Sequence, residues 1–299
     1  MKYFHPKKYF RVTKEWFHDL FWYYIMPDAW YLKYRYKKIF GRTLNLRNPQ
    51  TFNEKLQWLK LYDHNPIYPK LVDKFEVKKI VSEMIGDEYI IPTIGVYDSF
   101  DEICFDNLPN QFVIKCTHDS ASVIVCRDKM ELDWANVGKK IKNALRKNYY
   151  RIENRQWAYK DIKPRIIIEK YMEDNSNPDL RDYKFFCFNG KCRALFIASG
   201  RSINDVRFDF FDTDFNLLPF TNGHEHADNV EKPKNFEKMV VLAEKLSSSI
   251  PHVRVDFYEV NDKIYFGEMT FYHWGGMVPF VPESWDYKFG LWLDLPSKI

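Results

Sequence analysis

Arg254, Asp256, Glu268 and Thr270 are the residues whose types and spacing could most readily do chemistry in this chain. They lie in VRVDFYEVNDKIYFGEMTF, residues 253 to 271, which reads as a β-hairpin with one charged face. A two-residue turn at Asn261-Asp262 would pair Asp256 with Gly267 and Arg254 with Met269. A three-residue turn, Asn261 to Lys263, would pair Asp256 with Glu268 and Arg254 with Thr270. The second register is preferred. It collects Val253, Val255, Phe257, Tyr265, Met269 and Phe271 as a half-core and leaves Arg254, Asp256, Glu268 and Thr270 on the opposite face. Two carboxylates then face each other, which costs roughly 4 kcal/mol at about 4 Å with an effective dielectric near 20. Something positive must sit between them. Arg254 could do so as a structural ion pair. The sharper reading is a magnesium site, since oxygen ligands on adjacent strands with open positions for water and phosphate oxygens are what a nucleotide-bound Mg2+ requires.

The elements that would position these groups mix antiparallel hairpins with helices, which predicts an α+β architecture rather than an alternating βαβ layout. Residues 1–47 read as helical, broken near Pro27-Asp28 and ending at Gly41. Thr51 and Glu54 have capping-box spacing at the start of a further helix. KLVDKFEVKKIVSEMI, residues 70–85, reads as one amphipathic helix closed by Gly86. QFVIKCTHDSASVIVC reads as two strands around a polar loop, and DYKFFCFNGKCRALFIAS as a hairpin turning at Asn189-Gly190. RIIIEKYM is a buried strand after Pro164, and NFEKMVVLAEKLSSSI is a helix before the final hairpin. A chain of 299 residues exceeds the usual size of one compact domain. We divide it into an aromatic-basic segment 1–47, a helical and short-strand part 48–110, a lid 111–168 and a C-terminal subdomain 169–299.

Read in order, the chain offers Lys115 before the polar loop THDSAS, a strand ending in EKYM, a strand bearing DYK, and the Asp256/Glu268 hairpin. This succession resembles the ATP-grasp fold. The blocks PQTFNEKLQWLKLY, LVDKFEVKKIV, FVIKCTHDSAS, PRIIIEKYM, DYKFFCFNGK and VRVDFYEV…IYFGEMTF look like its TupA-like branch, over about residues 48 to 290. That branch is associated with amino-acid or peptide modification of bacterial surface polysaccharides. The resemblance implies two α+β subdomains with antiparallel sheets clamping ATP, and a carboxylate–amine ligase working through an acyl phosphate. Lys115 would bind ATP phosphate, with Ser120, Ser122 and His118 gripping in a loop that lacks the usual glycines. The Glu169, Lys170, Tyr171, Met172 linker would face adenine. Asp256 and Glu268 would hold Mg2+, with Thr270 where many relatives carry asparagine. Lys184, Arg201 and Arg254 would be the remaining phosphate or acyl-phosphate contacts. Lys74 in LVDKF also corresponds, although on a helix a surface lysine is the default. Gly275-Gly276 would allow close approach on the acceptor side, with Trp274 or Trp285 offering a stacking face or simply core.

Composition bounds the rest. A net charge of +4, from 45 basic and 41 acidic residues, gives no case for a nucleic-acid binder. The basic excess sits in residues 1–47, interleaved with aromatics, a composition compatible either with an anionic membrane surface or with a helical pair docked on the body. The longest apolar run there, Phe21 to Met26, is too short for a span, so a cytoplasmic chain is expected, with peripheral contact to the membrane or to polysaccharide-synthesis enzymes. The five cysteines form no CxxC pair and read as reduced thiols. The runner-up function is a metal-dependent glycosyltransferase using the DxD at Asp212 and Asp214, against which a simple acidic turn stands. His224, His226 and Asp228 could bind zinc but read better as a solvated loop. No GxSxG, HExxH or GxxxxGK[ST] occurs, which removes the serine-hydrolase, zincin and P-loop classes.

Overall fold

Two antiparallel sheets face each other across a cleft. The structure is a computed structural model that describes residues 25–120, 122–174, 180–200, 205–227 and 230–297. The smaller sheet has the order β1-β4-β2-β3, from Thr93–Tyr97 (β1), Phe112–Cys116 (β2), Ile124–Cys126 (β3) and Ile166–Lys170 (β4). The larger has the order β7-β6-β5-β8-β9, from Asp182–Phe188 (β5), Lys191–Ser199 (β6), Arg207–Phe211 (β7), His252–Val260 (β8) and Lys263–Thr270 (β9). The helices are Asp28–Phe40 (α1), Phe52–Tyr62 (α2), Tyr68–Val72 (α3), Glu76–Ile85 (α4), Trp134–Leu145 (α5), Tyr149–Ile152 (α6), Phe236–Ser247 (α7) and Ser284–Trp292 (α8). The expected α+β class is therefore observed.

Each sheet has its own apolar core. Helix α5 lays Val137, Ile141 and Ala144 against Phe112, Ile114, Ile166 and Ile168 of the smaller sheet. Around the larger sheet, Phe52 of α2 packs edge-on to Phe186 and Phe188, and Phe289 of α8 closes the same cluster. Strand alternation then decides what faces the cleft. In β2, Phe112, Ile114 and Cys116 turn to the α5 core, and Lys115 turns the other way. The smaller sheet takes its edge strand β1 from residues assigned by sequence to the preceding segment, and its strand β4 runs on to Lys170.

Three local features depart from the sequence reading. Residues 70–85 are not one helix: Asp73 Oδ1 accepts the amides of Phe75 and Glu76, both at 2.9 Å, and so starts α4 afresh. The interruption frees the Lys74 amide, which donates to the Thr117 carbonyl at 3.0 Å and places Lys74 beside the loop after β2. The final hairpin combines both registers. Asn261 and Asp262 form a two-residue turn with φ of 50° and 63°, pairing Phe257 with Phe266, and an irregularity at Gly267 then switches the ladder so that Asp256 faces Glu268 and Arg254 faces Thr270. The extra residue reverses the face of everything nearer the turn. Ile264 and Phe266 are buried in the core, and Tyr265, expected there, pairs with Tyr258 on the opposite face.

Of the aromatic-basic segment, residues 1–24 lie outside the described region, and α1 docks on the body through Leu32 and Tyr36. Among the described residues no helix is long and apolar enough to cross a membrane. Cys116, Cys126, Cys187 and Cys192 are buried and Cys104 is exposed, all free.

His252 of β8 carries a stability prediction. It is fully enclosed, stacked on Phe188 at 4.7 Å, and donates Nδ1–H to the Cys187 carbonyl at 2.9 Å. Burial pulls its pKa down to about 3. The unfolded chain therefore binds a proton that the folded one refuses, so this contribution is complete above about pH 6.5 and is lost as pH falls toward 3. The slope is about 1.4 kcal/mol per pH unit. The urea midpoint should fall more steeply between pH 6.5 and pH 5 in wild type than in His252→Asn; equal slopes would refute the assignment.

Candidate active site

Four cationic side chains and a set of carboxylates meet in the cleft between the sheets, a cavity of about 500 Å³. The larger sheet supplies its floor. Residues paired across the ladders share a face, so Phe196, Lys184, Asp256 and Glu268 form one row across β6, β5, β8 and β9. Arg254 and Thr270 lie in the next row. Asp256 is 1% exposed, and its charge is met twice. Arg254 donates Nε to Oδ1 at 2.7 Å and an NH2 hydrogen to Oδ2 at 2.8 Å, and Lys184 Nζ donates to the same Oδ2. Burial would raise the Asp256 pKa, but Arg254 and Lys184 outweigh it and hold the carboxylate below its ordinary range. Lys184 also approaches Asp182 Oδ2 at 3.3 Å.

Arg254 is the hub of this floor. Its NH2 group reaches Glu268 Oε1 at 3.3 Å and Thr270 Oγ1 at 3.0 Å, and NH1 reaches His273 Nδ1 at 3.0 Å. A guanidinium can only donate, so His273 Nδ1 accepts and its proton sits on Nε2, which donates to Asn222 Oδ1 at 2.9 Å. Asn222 Nδ2 in turn donates to the carbonyls of Val278 and Pro279. Burial, reinforced by the Arg254 charge, holds the His273 pKa well below its ordinary value, in keeping with a neutral ring. The guanidinium is thus fixed through side chains that the sequence reading did not single out.

The smaller sheet and its loops form the roof. Lys115 Nζ and Lys78 Nζ each lie 2.5 Å from a separate oxygen of the buried Glu169. Burial alone would raise the Glu169 pKa; the two lysines reverse it and keep the carboxylate ionised. Glu169 therefore acts on the cleft through Lys115. Lys74, the default surface lysine of the sequence reading, is 9% exposed, lines the cleft, and donates Nζ to the Asp119 carbonyl. Its pKa is lowered, mainly by burial, with Glu268 opposing that effect. Ser120 reaches the cleft with its hydroxyl against that of Tyr149 on α6. Ser122 stays inside the loop, accepting from the Cys116 amide at 2.7 Å and donating to Asp119 Oδ1 at 2.5 Å. His118 is buried in the loop with a pKa lowered by its burial. Lys170 is exposed, and Tyr171 and Met172 are half-buried in the connection from β4 toward β5, all apart from the side chains lining this cavity. Arg201 lies outside the described residues.

Other cleft residues that carried no sequence signal are Glu153, Gln156 and Tyr159, brought in by the turn after α6. Trp274 lines the cleft at 41% exposure, whereas Trp285 stacks on Phe220 at 4.7 Å. Trp274, Gly275 and Gly276 have φ of 50°, 61° and 61°. Their close approach is held by Gln57 Nε2 on the Gly276 carbonyl at 2.8 Å and Lys60 Nζ on the Gly275 carbonyl at 2.6 Å.

The competing sites resolve differently. Asp212 is consumed by its own turn, accepting the amides of Asp214 and Asn216 at 3.0 and 2.8 Å on Oδ1 and Asn216 Nδ2 at 3.0 Å on Oδ2. Neither Asp212 nor Asp214 lines the cleft. His224 packs on Phe208 and His226 pairs with Asp209 at 3.2 Å, Asp228 is outside the described residues, and among the described residues no cluster of three or more His, Cys, Asp or Glu is arranged for a metal. The oxygen set expected from the sequence to hold a cation is Asp256, Glu268 and Thr270. All are hard donors on adjacent strands, a chemistry that suits Mg2+ rather than a softer ion; the Glu268 side chain is 33% exposed to the cleft, whereas both Asp256 oxygens are taken by Arg254 and Lys184, so a cation would have to displace one of those partners to reach it.

The TupA-like ATPgrasp family profile matches residues 54–293. Among solved structures, D-alanine–D-alanine ligase from Bacillus anthracis complexed with ATP aligns at 16% identity and a TM-score of 0.37, over 67% of this chain and 53% of that one. The ligase of the same name from Helicobacter pylori aligns at 14% identity and a TM-score of 0.38, over 82% and 70%. The ATP-grasp ligase PsnB, complexed with a variant of its minimal precursor, Mg and ADP, aligns at 9% identity and a TM-score of 0.38, over 73% and 57%. The chain thus spans about half the length of the Bacillus anthracis ligase. No curated protein matches it.

Proposed function

The chain belongs to the TupA-like ATP-grasp family, and on that premise we propose that this ATP-grasp enzyme is an ATP-dependent carboxylate–amine ligase that attaches an amino acid or peptide to a bacterial surface polysaccharide or its precursor. The observation that carries the reading is the convergence of Lys74, Lys115, Lys184 and Arg254 on the cleft that also holds Glu268. Phosphoryl transfer asks mainly for positioning and for cations where charge is spread, and this cleft supplies both.

In the proposed reaction a carboxylate oxygen of the acceptor attacks the γ-phosphorus of ATP. A bond from that oxygen to phosphorus forms, the bond from γ-phosphorus to the bridging oxygen breaks, and ADP departs. Lys74 and Lys115 come from the roof and Lys184 and Arg254 from the floor, so the phosphoryl group would be held from both sides. Asp256 and Glu268, with Thr270, would hold Mg2+, which when bound neutralises phosphate charge. Ser120 and Tyr149, whose hydroxyls meet at the cleft, would help to keep water from the acyl phosphate. An amine then attacks the acyl carbon, phosphate leaves, and the amine loses its proton.

Calorimetry of Mg2+-dependent ATP binding against a panel of UDP-sugars tests this reading, with Glu268→Gln as the variant. Micromolar ATP binding weakened about 10-fold or more by Glu268→Gln, with no heat from UDP-sugars, is expected. Binding of UDP-sugars with no response to ATP would overturn it and return attention to Asp212.

A further inference from the structure

The chain's charge is divided unevenly. Residues 1–47 hold 11 Lys and Arg against 3 Asp and Glu, while the remaining 252 residues hold 34 against 38. The net +4 is thus the difference between a basic N-terminal stretch and a mildly acidic body. Helix α1 shows how part of that stretch is presented. Leu32 and Tyr36 are fully buried against the body, so the helix cannot roll. Its one acidic residue, Asp28, is turned inward, where Oδ1 lies 3.2 Å from Arg155 Nε and Oδ2 accepts from the Tyr150 hydroxyl. The outward face reads Trp30, Lys33, Tyr34, Lys37 and Lys38, at i, i+3, i+4, i+7 and i+8. Trp30 is 69% exposed and Tyr34 46%.

A merely solvated face would not need two large exposed aromatics one turn apart among lysines. Indole and phenol rings prefer the boundary between water and hydrocarbon, and lysine stems extend from it to reach anionic headgroups. We propose that the Trp30–Tyr34–Lys38 face of α1 docks peripherally on an anionic lipid surface. Charge complementarity favours lipid phosphates, which attract each basic side chain that comes near the surface.

Flotation of the full chain with vesicles of phosphatidylcholine containing about one-third phosphatidylglycerol, and with phosphatidylcholine alone, tests the proposal. Wild type should float with the anionic vesicles, should not float with the neutral ones, and should be released by roughly 0.5 M salt. The pair Trp30→Ala with Tyr34→Ala, and separately Lys33→Glu with Lys37→Glu and Lys38→Glu, should each lower the partition coefficient at least about 10-fold. Thermal melting confirms that each variant is folded, and ATP binding should be unchanged in both because none of these residues lines the cleft. Failure of wild type to float with anionic vesicles, equal flotation with neutral ones, or wild-type flotation of folded variants would each overturn the assignment.

Discussion

Asp256→Asn is expected to abolish ATP-dependent turnover and, unlike a change at an open metal ligand, to destabilise the fold by about 3 kcal/mol. The carboxylate is 1% exposed and is shared by Arg254 and Lys184. Replacing one oxygen with an amide nitrogen turns a donor toward donors and leaves two buried cations under-compensated. Removing one partner of such a cluster costs far more than the cluster contributes against apolar residues of the same shape. Melting should drop by roughly 5–10 °C for a chain of this size. Glu268→Gln provides the contrast. Its side chain is 33% exposed and meets Arg254 only at 3.3 Å, so turnover should again be lost while melting stays within about 2 °C of wild type. Combining Asp256→Asn with Lys184→Met, which removes the stranded ammonium, should restore part of the stability and none of the activity. Turnover retained in both Asp256→Asn and Glu268→Gln would end the metal assignment, and an unchanged melting point for Asp256→Asn would refute the charge cluster.

Lys74→Met should lower turnover by about 10²–10³-fold, the range seen when one preorganised donor is taken from a developing negative charge. Stability should hold or rise. The lysine is 9% exposed and its ammonium desolvated, it donates to the Asp119 carbonyl, and methionine fills a similar volume without the burial penalty. The backbone contact that anchors this point, from the Lys74 amide to Thr117, survives the substitution. Lys79→Met is the matched control: that side chain is 83% exposed and lies 3.9 Å from Glu83. Steady-state kinetics that place Lys74→Met beside the control would show that Lys74 makes no contact with the transferred group.

The outer frame of this site was legible because it rests on period-two alternation, which any strand imposes. VIKC puts Lys115 opposite Ile114 and Cys116, and VRVDF puts Arg254 and Asp256 opposite Val253, Val255 and Phe257, whatever the strands pair with. Turn chemistry was equally local: Asn189-Gly190 and the Thr51 to Glu54 capping box formed as their residues require. Lys74 was misread because its helix breaks at Asp73, and the break is made by a side-chain cap plus a long-range bond to Thr117 that periodicity cannot register. Tyr265 was misread for a similar reason. A one-residue irregularity at Gly267 gives both candidate registers to one hairpin.

By itself, then, the sequence determined which strands carry the charged groups, which face of each strand bears them, and to which family the succession of blocks belongs. Those properties follow from local backbone geometry and residue order. Only the tertiary structure decided how the charges are compensated. It paired Asp256 with Lys184 across β5 and β8, set His273 and Asn222 behind Arg254, and gave Lys115 and Lys78 to one buried Glu169. It also drew Lys74 into the cleft and turned Asp212 back on its own loop. Compensation of buried charge is a property of whatever lies within a few ångströms, and in a fold of non-local strand pairings those neighbours come from anywhere in the chain.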